Sequence, residues 1–309
     1  MIDNIPILQQ GFLQVSDKHK IYYATMGNPD GIPLLCFHGG PGATFKVKYI
    51  AFINKDKYHT ILFHQRGCGN SIPLGETHDN TPDTAIADAK KLLDFLNVKE
   101  CYLMGFSYGS TLAMLFAMHN PTMVKSLFLS SLFIPYNFDE QCFGDSAKNK
   151  NSESYNKFIS AIGCKNSSDL LHTIDNAGRE QQENIIHAWI NWEIELFTGR
   201  DSVTYTFPEK IDDALISSKH ILLHYAANNY FGIRERILNN LDSIKNIPIT
   251  IIHGDCDYFT PISIIYELQK SLHQIKIVPV VGGGHVGSRI SQILYDEINS
   301  YITEKQFSK

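Results

Sequence analysis

The five residues Gly105-Phe106-Ser107-Tyr108-Gly109 constrain this chain more than any other stretch. They follow an apolar run, Cys101-Tyr102-Leu103-Met104, that reads as a strand, and they open a helical pattern, STLAMLFAMHN at 110–120. A strand that passes into a helix through so tight a turn holds the central serine in a strained backbone, and side chains two positions to either side would collide. At ordinary glycine and serine frequencies the pattern arises by chance roughly 0.1 times in a chain this long. The plain alternative is a serine that merely caps a helix; the strand before it and the helix after it count against that. Ser107 is the candidate nucleophile.

The surrounding pattern supports an α/β fold. GFLQVS at 11–16 and HKIYYATMG at 19–27 read as two strands joined by a polar turn. PLLCFHG at 33–39, YHTILFHQR at 58–66, ECYLMGFS at 100–107 and KSLFLSS at 125–131 are nearly continuous apolar runs. Such runs suit strands buried on both faces of a largely parallel sheet. Between them, Thr81 is expected to cap a helix with Pro82 in its first turn, and Ala85, Ala89, Leu92, Leu93 and Leu96 recur at helical spacing. From about 133 to 241 the strand signal disappears, and 183–197 and 219–231 read as helices. Strands resume at 247–255 and 276–283, and a last helix is expected at about 288–304. The expected organisation is a core of 1–132 and 242–309 carrying an inserted helical cap, 133–241, above the carboxyl ends of the strands, where open α/β sheets bind ligands.

Composition narrows the function. Hydrophobic residues make up 43% and charged residues 19% of the 309, which excludes wholesale disorder. The net charge of −5 and the absence of a basic cluster argue against nucleic acid as the main partner. No stretch of ~18 apolar residues exists to span a membrane. MIDNIPILQQGF lacks the basic and long apolar regions of a secretory signal, so a cytoplasmic location is expected. The six cysteines form no CxxC pair and read as thiols in a reducing compartment; Cys36 and Cys101 lie in apolar runs and read as core. Thirteen histidines show no HExxH or paired Cys/His spacing, so neither a metal nor a cofactor is expected. Oligomeric state is not legible.

A serine needs a base and an orienting acid, expected downstream in the order Ser, Asp/Glu, His. His285 follows a strand and three glycines at 282–284. Asp255 and Asp257 both follow the strand ending at His253, and since Asx residues after strands often only make turns, spacing leaves the acid open between them. His38-Gly39-Gly40-Pro41-Gly42 follows a buried strand and could be a plain turn. Paired with the serine turn it reads as a loop whose backbone N–H groups, with that of Tyr108, receive a developing oxyanion.

These elements resemble the α/β-hydrolase superfamily and, more narrowly, the proline iminopeptidase family of serine aminopeptidases. The narrower resemblance rests on HGGPG at 38–42, Gln65-Arg66-Gly67-Cys68-Gly69-Asn70-Ser71, the GFSYGSTLA stretch at 105–113, Trp189 with Trp192-Glu193, and His253-Gly254 leading to Asp257. It covers nearly the whole chain. It implies an α/β-hydrolase fold, with a mostly parallel eight-stranded sheet flanked by helices and an inserted helical cap. It selects Asp257 as the acid of a triad with Ser107 and His285, and Gly40 and Tyr108 as the oxyanion donors. It implies release of an N-terminal proline or small residue from short peptides through an acyl-enzyme, with Glu193 meeting the substrate ammonium and Trp189, Trp192 and Gly39 lining its site.

Three departures bear on substrate identity. Ala227 stands where the family carries a second glutamate before Asn-His-Tyr-Phe, so the amine site is expected to be either weak or rebuilt from another acid, Asp212 or Asp213 for example. His64 replaces an aspartate before Gln-Arg-Gly, and Tyr108 replaces a tryptophan. A carboxylesterase, or another small-molecule acyl hydrolase on the same core, is therefore the alternative. A catalytically idle binding module fits poorly, because every triad and oxyanion position is filled. Epoxide hydrolases and dehalogenases carry a carboxylate where this chain has Ser107, and no GxxxxGK[ST] or GxGxxG follows the early strands.

Overall fold

A computed structural model describes residues 6–45, 50, 52–199 and 210–307. Eight strands form one sheet: β1 (Ile7–Gln14), β2 (Lys20–Gly27), β3 (Ile32–Phe37), β4 (Tyr58–Phe63), β5 (Cys101–Phe106), β6 (Val124–Ser130), β7 (Ile249–Gly254) and β8 (Ile275–Val280). Their spatial order is β1-β2-β4-β3-β5-β6-β7-β8. β2 runs antiparallel to β1 and β4, and every later pairing is parallel.

The apolar runs become central strands because both faces are covered. Leu35 and Phe37 pack into the cluster under α1 (Pro82–Phe95) and α2 (Tyr108–His119), whereas Leu34 and Cys36 point to the other face. Thr81 caps α1 as expected, its hydroxyl accepting the Thr84 N–H, with Pro82 in the first turn. β1 begins at Ile7, earlier than its pattern suggests, because an edge strand with exposed side chains shows little apolar signal. Cys36 and Cys101 are buried, and burial pushes the Cys101 thiol up to about 12, so both behave as core residues.

Among the described residues, seven α-helices lie between β6 and β7: α3 (Phe138–Phe143), α4 (Asp145–Lys150), α5 (Ser152–Ile162), α6 (Ser167–Asn176), α7 (Arg179–Phe197), α8 (Asp213–Ala227) and α9 (Ile233–Leu238). Residues 200–209 of this block lie outside the described residues. The expected helix at 183–197 is α7, one turn longer at its start. The expected helix at 219–231 needs correction at both ends. Asp212 starts α8 early, its carboxylate accepting the Leu215 N–H. The helix stops at Ala227 because Asn229, Tyr230 and Phe231 all take positive φ (48°, 47° and 54°), which turns the Tyr230 ring into the interior. Two helices close the chain: α10 (Ile262–Ser271) covers the face that holds α1 and α2, and α11 (Ser288–Phe307) covers the opposite face through Ile290, Leu294 and Ile298. Among the described residues no helix is long and apolar enough to cross a membrane.

Candidate active site

Four strands deliver the site from their carboxyl ends, two on each side of β6: β3 leads to 38–42, β5 to Ser107, β7 to Asp257 and β8 to His285. Ser107 has φ 51° and ψ −123°, a conformation that costs a non-glycine residue about 1–3 kcal/mol and persists only when its surroundings enforce it. The enforcement is visible. Ser107 N–H donates to Ser130 O at 2.9 Å. A Cβ on Gly105 would lie 2.6 Å from Gly109 O, and one on Gly109 would lie 2.2 Å from Phe37 O. The turn closes only with glycine at both positions.

Ser107 Oγ lies 2.8 Å from His285 Nε2, and His285 Nδ1 lies 2.7 Å from Asp257 Oδ2. With Nδ1–H donating to the carboxylate, Nε2 is left to accept the serine proton. Asp257 is buried and its other oxygen accepts the Thr260 N–H at 3.0 Å. Burial pushes its carboxyl up, but the charge and hydrogen bond of His285, with His253 beside it, outweigh that and hold it below the usual carboxylate range. Asp255 does something else: its carboxylate accepts the Gly282 N–H at 2.8 Å and ties down the histidine loop. Of the two acids that spacing left open, Asp257 alone reaches His285 here. Gly284 also serves the loop by close approach, since a Cβ there would lie 2.3 Å from Phe197 O.

Gly39 lies directly against the serine turn: a Cβ on it would sit 3.3 Å from Ser107 Cβ. Tyr108 begins α2, so its N–H is one of the four amides that a helix leaves without an internal acceptor. Gly40, at φ 114°, bends the loop. His38 fixes it from behind, with Nε2 accepting the Gln65 N–H at 3.0 Å and Nδ1 donating to Gly39 O at 2.9 Å. Burial pushes His38 down to about 3, so it is neutral in that role. Arg66, next in sequence to Gln65, grips Asp88 of α1 with two hydrogen bonds at 2.7 and 2.9 Å, which anchors the loop after β4.

The helical block meets the candidate base through Phe197, whose ring stacks on His285. Trp189 is 3% exposed, and its Nε1 donates to Glu193 Oε1 at 3.2 Å. Trp192 is a packing residue, its Nε1 bonded to Cys142 O and its ring stacked on Phe158. Lys219 of α8 donates to the second oxygen of Glu193. Asp212 and Asp213 do not reach this carboxylate: Asp212 caps α8 and Asp213 pairs with Arg179. Spacing alone did not identify Phe197 or Lys219 as site residues, nor the bracing role of His38 within its loop; each contributes through a contact between segments far apart in sequence. Among the described residues, no group of three or more His, Cys, Asp or Glu is placed to hold a metal ion.

The sequence pattern of the alpha/beta hydrolase fold family matches residues 32–288. The proline iminopeptidase of Neisseria gonorrhoeae is 31% identical over 285 residues, covering 89% of each chain. A putative proline iminopeptidase of Mycoplasma genitalium is 29% identical over 302 residues, covering 92% of this chain and 94% of that one. A proline iminopeptidase-related protein from Thermus thermophilus superposes with a TM-score of 0.55 at 17% identity, over 97% of this chain and 95% of that one. A haloalkane dehalogenase variant from Bradyrhizobium elkanii reaches 0.67 at 14% identity, over 97% and 99%, so these two likenesses show the fold alone. The chain belongs to the alpha/beta hydrolase fold family and, within it, to the proline iminopeptidase-like enzymes.

Proposed function

We propose that this protein is a serine hydrolase that releases an N-terminal residue, proline or a small one, from short peptides through an acyl-enzyme. The observation that carries this reading is the continuous line Ser107 Oγ, His285 Nε2, His285 Nδ1, Asp257 Oδ2, with contacts of 2.8 and 2.7 Å. Ser107 attacks the carbonyl carbon while His285 takes its proton, and Asp257 stabilises the imidazolium. The carbonyl oxygen, now an anion, accepts from the N–H groups of Tyr108 and Gly40. His285 then protonates the departing amine, and water, activated by the same imidazole, releases the acyl group from Ser107. In this reading 133–241 is a cap over the core formed by 1–132 and 242–309, and it brings Glu193 and Trp189 to the acyl side. The buried thiols of Cys36, Cys68 and Cys142 fit a reducing cytoplasm.

A second reading, a carboxylesterase or other small-molecule acyl hydrolase, is favoured by one observation: both oxygens of Glu193 already have partners. Aminocoumarin amides of proline with free and acetylated amines, assayed beside a short nitrophenyl ester, separate the two. The peptidase reading requires that the free amine be turned over better than its acetylated form. Cleavage of the ester alone establishes the second reading.

A further inference from the structure

Lys219 sits on α8. Glu193 lies one helical turn before Phe197, whose ring stacks on His285 and whose carbonyl accepts the His285 N–H, so α7 carries both the contact to the base and this carboxylate. α8 lies against the opposite wall of the site: a Cβ on Gly42, in the loop after β3, would lie 2.2 Å from Ser218 O. The next residue, Lys219, reaches across to Glu193, and its ammonium is 5.7 Å from the centre of the Trp189 ring. The side chains of Lys219 and Glu193 are only 9% and 16% exposed, so water screens this pair weakly.

We propose that Lys219 is the specificity-determining residue of the acyl pocket: an internal ammonium that occupies Glu193 and so lowers the advantage of a substrate carrying a free amine over a neutral acyl group. This rests on the reading of Ser107 as an acyl-forming nucleophile. A lone, weakly solvated carboxylate would attract an incoming ammonium strongly and leave neutral acyl groups unrewarded. With Lys219 in place, the carboxylate has its countercharge and both oxygens are bonded. An incoming ammonium then meets a like charge and has to displace or share a bond already made. Neutral acyl groups meet no such competitor. Peptides with a free N-terminus remain substrates, with a smaller advantage over uncharged acyl donors than a bare glutamate would give.

The test compares wild type, K219M, K219R and the double variant K219M/E193Q. The readout is the ratio of kcat/KM for proline aminocoumarin amide to kcat/KM for its acetylated form, each preparation normalised to its acyl-enzyme burst with nitrophenyl acetate. K219M is expected to raise the ratio at least tenfold, chiefly through a lower KM for the free amine. K219R, which keeps the countercharge, should stay near wild type, and K219M/E193Q should lose the gain. An unchanged or lower ratio in K219M with a normal burst overturns the proposal while leaving the serine mechanism intact. Should K219M fold poorly, K219Q takes its place, and an unchanged or lower ratio in K219Q with a normal burst overturns the proposal in the same way. A wild type that shows no Ser107-dependent burst instead overturns the hydrolase reading on which it rests.

Discussion

Phe197 and His285 form a stacked pair, with ring centroids 5.3 Å apart and planes 28° from parallel, and the backbone N–H of His285 donates to Phe197 O at 2.9 Å. The last residue of α7 thus fixes both ring and backbone of the candidate base. Phe197→Ala removes the ring and keeps the backbone bond. It should lower kcat by about 10- to 100-fold through a looser imidazole while KM changes little. Steady-state kinetics on one ester substrate checks this, and a purely structural residue would instead lower the burst amplitude and leave the normalised kcat alone.

The two acids after β7 have separable roles. Asp257→Asn should lower kcat by roughly 10⁴-fold, because an amide no longer favours Nδ1–H and the imidazolium loses its countercharge. Asp255→Asn should be nearly silent, since its remaining carbonyl oxygen can still accept the Gly282 N–H. Parallel kinetics on the two variants gives the comparison, and equal losses would reverse the assignment.

Much of this site was legible because local chemistry demanded it. The strands β3, β5 and β7 are covered on both faces and so appear as unbroken apolar runs, and the glycines beside Ser107 are required by backbone contacts under 3 Å. What was hidden is what depends on distant partners. Tyr230 and Phe231 take positive φ although neither residue type favours it, because the ring of Tyr230 is packed between Phe133 and Tyr108. Spacing left Asp255 and Asp257 open and the family resemblance chose Asp257; the folded loop, in which Gly282 claims Asp255, supplies the physical reason. Lys219 reads in sequence as one more lysine on a helix, and only the packing of α7 beside α8 joins it to Glu193.

Gly109→Ala places a methyl group where Phe37 O and His38 O already lie, 2.2 and 2.5 Å from the built position. Backbone cannot yield as a side chain can, so the variant should lose about 1–3 kcal/mol or more of stability and part of its activity. Thermal melting of the variant beside wild type checks the loss.

Stability should fall as pH drops below about 6.5. Burial lowers His38 to about 3, so between about 6.5 and 3 the unfolded chain binds a proton that the folded chain refuses. The stabilisation is complete above the upper limit and is lost progressively toward the lower one. His64, His224 and His253 are lowered too, with burial as the leading cause, and act in the same sense. Melting temperatures measured from pH 7.5 to 4.5 should decline steadily, and the slope should be shallower in His38→Gln.

The covalent step is tested most directly by trapping it. Enzyme mixed with nitrophenyl acetate, quenched in acid within the burst and digested, should yield one acetylated peptide, the one containing Ser107, and Ser107→Ala should yield none. Acetylation mapped to another residue, or turnover retained in Ser107→Ala, would contradict the account.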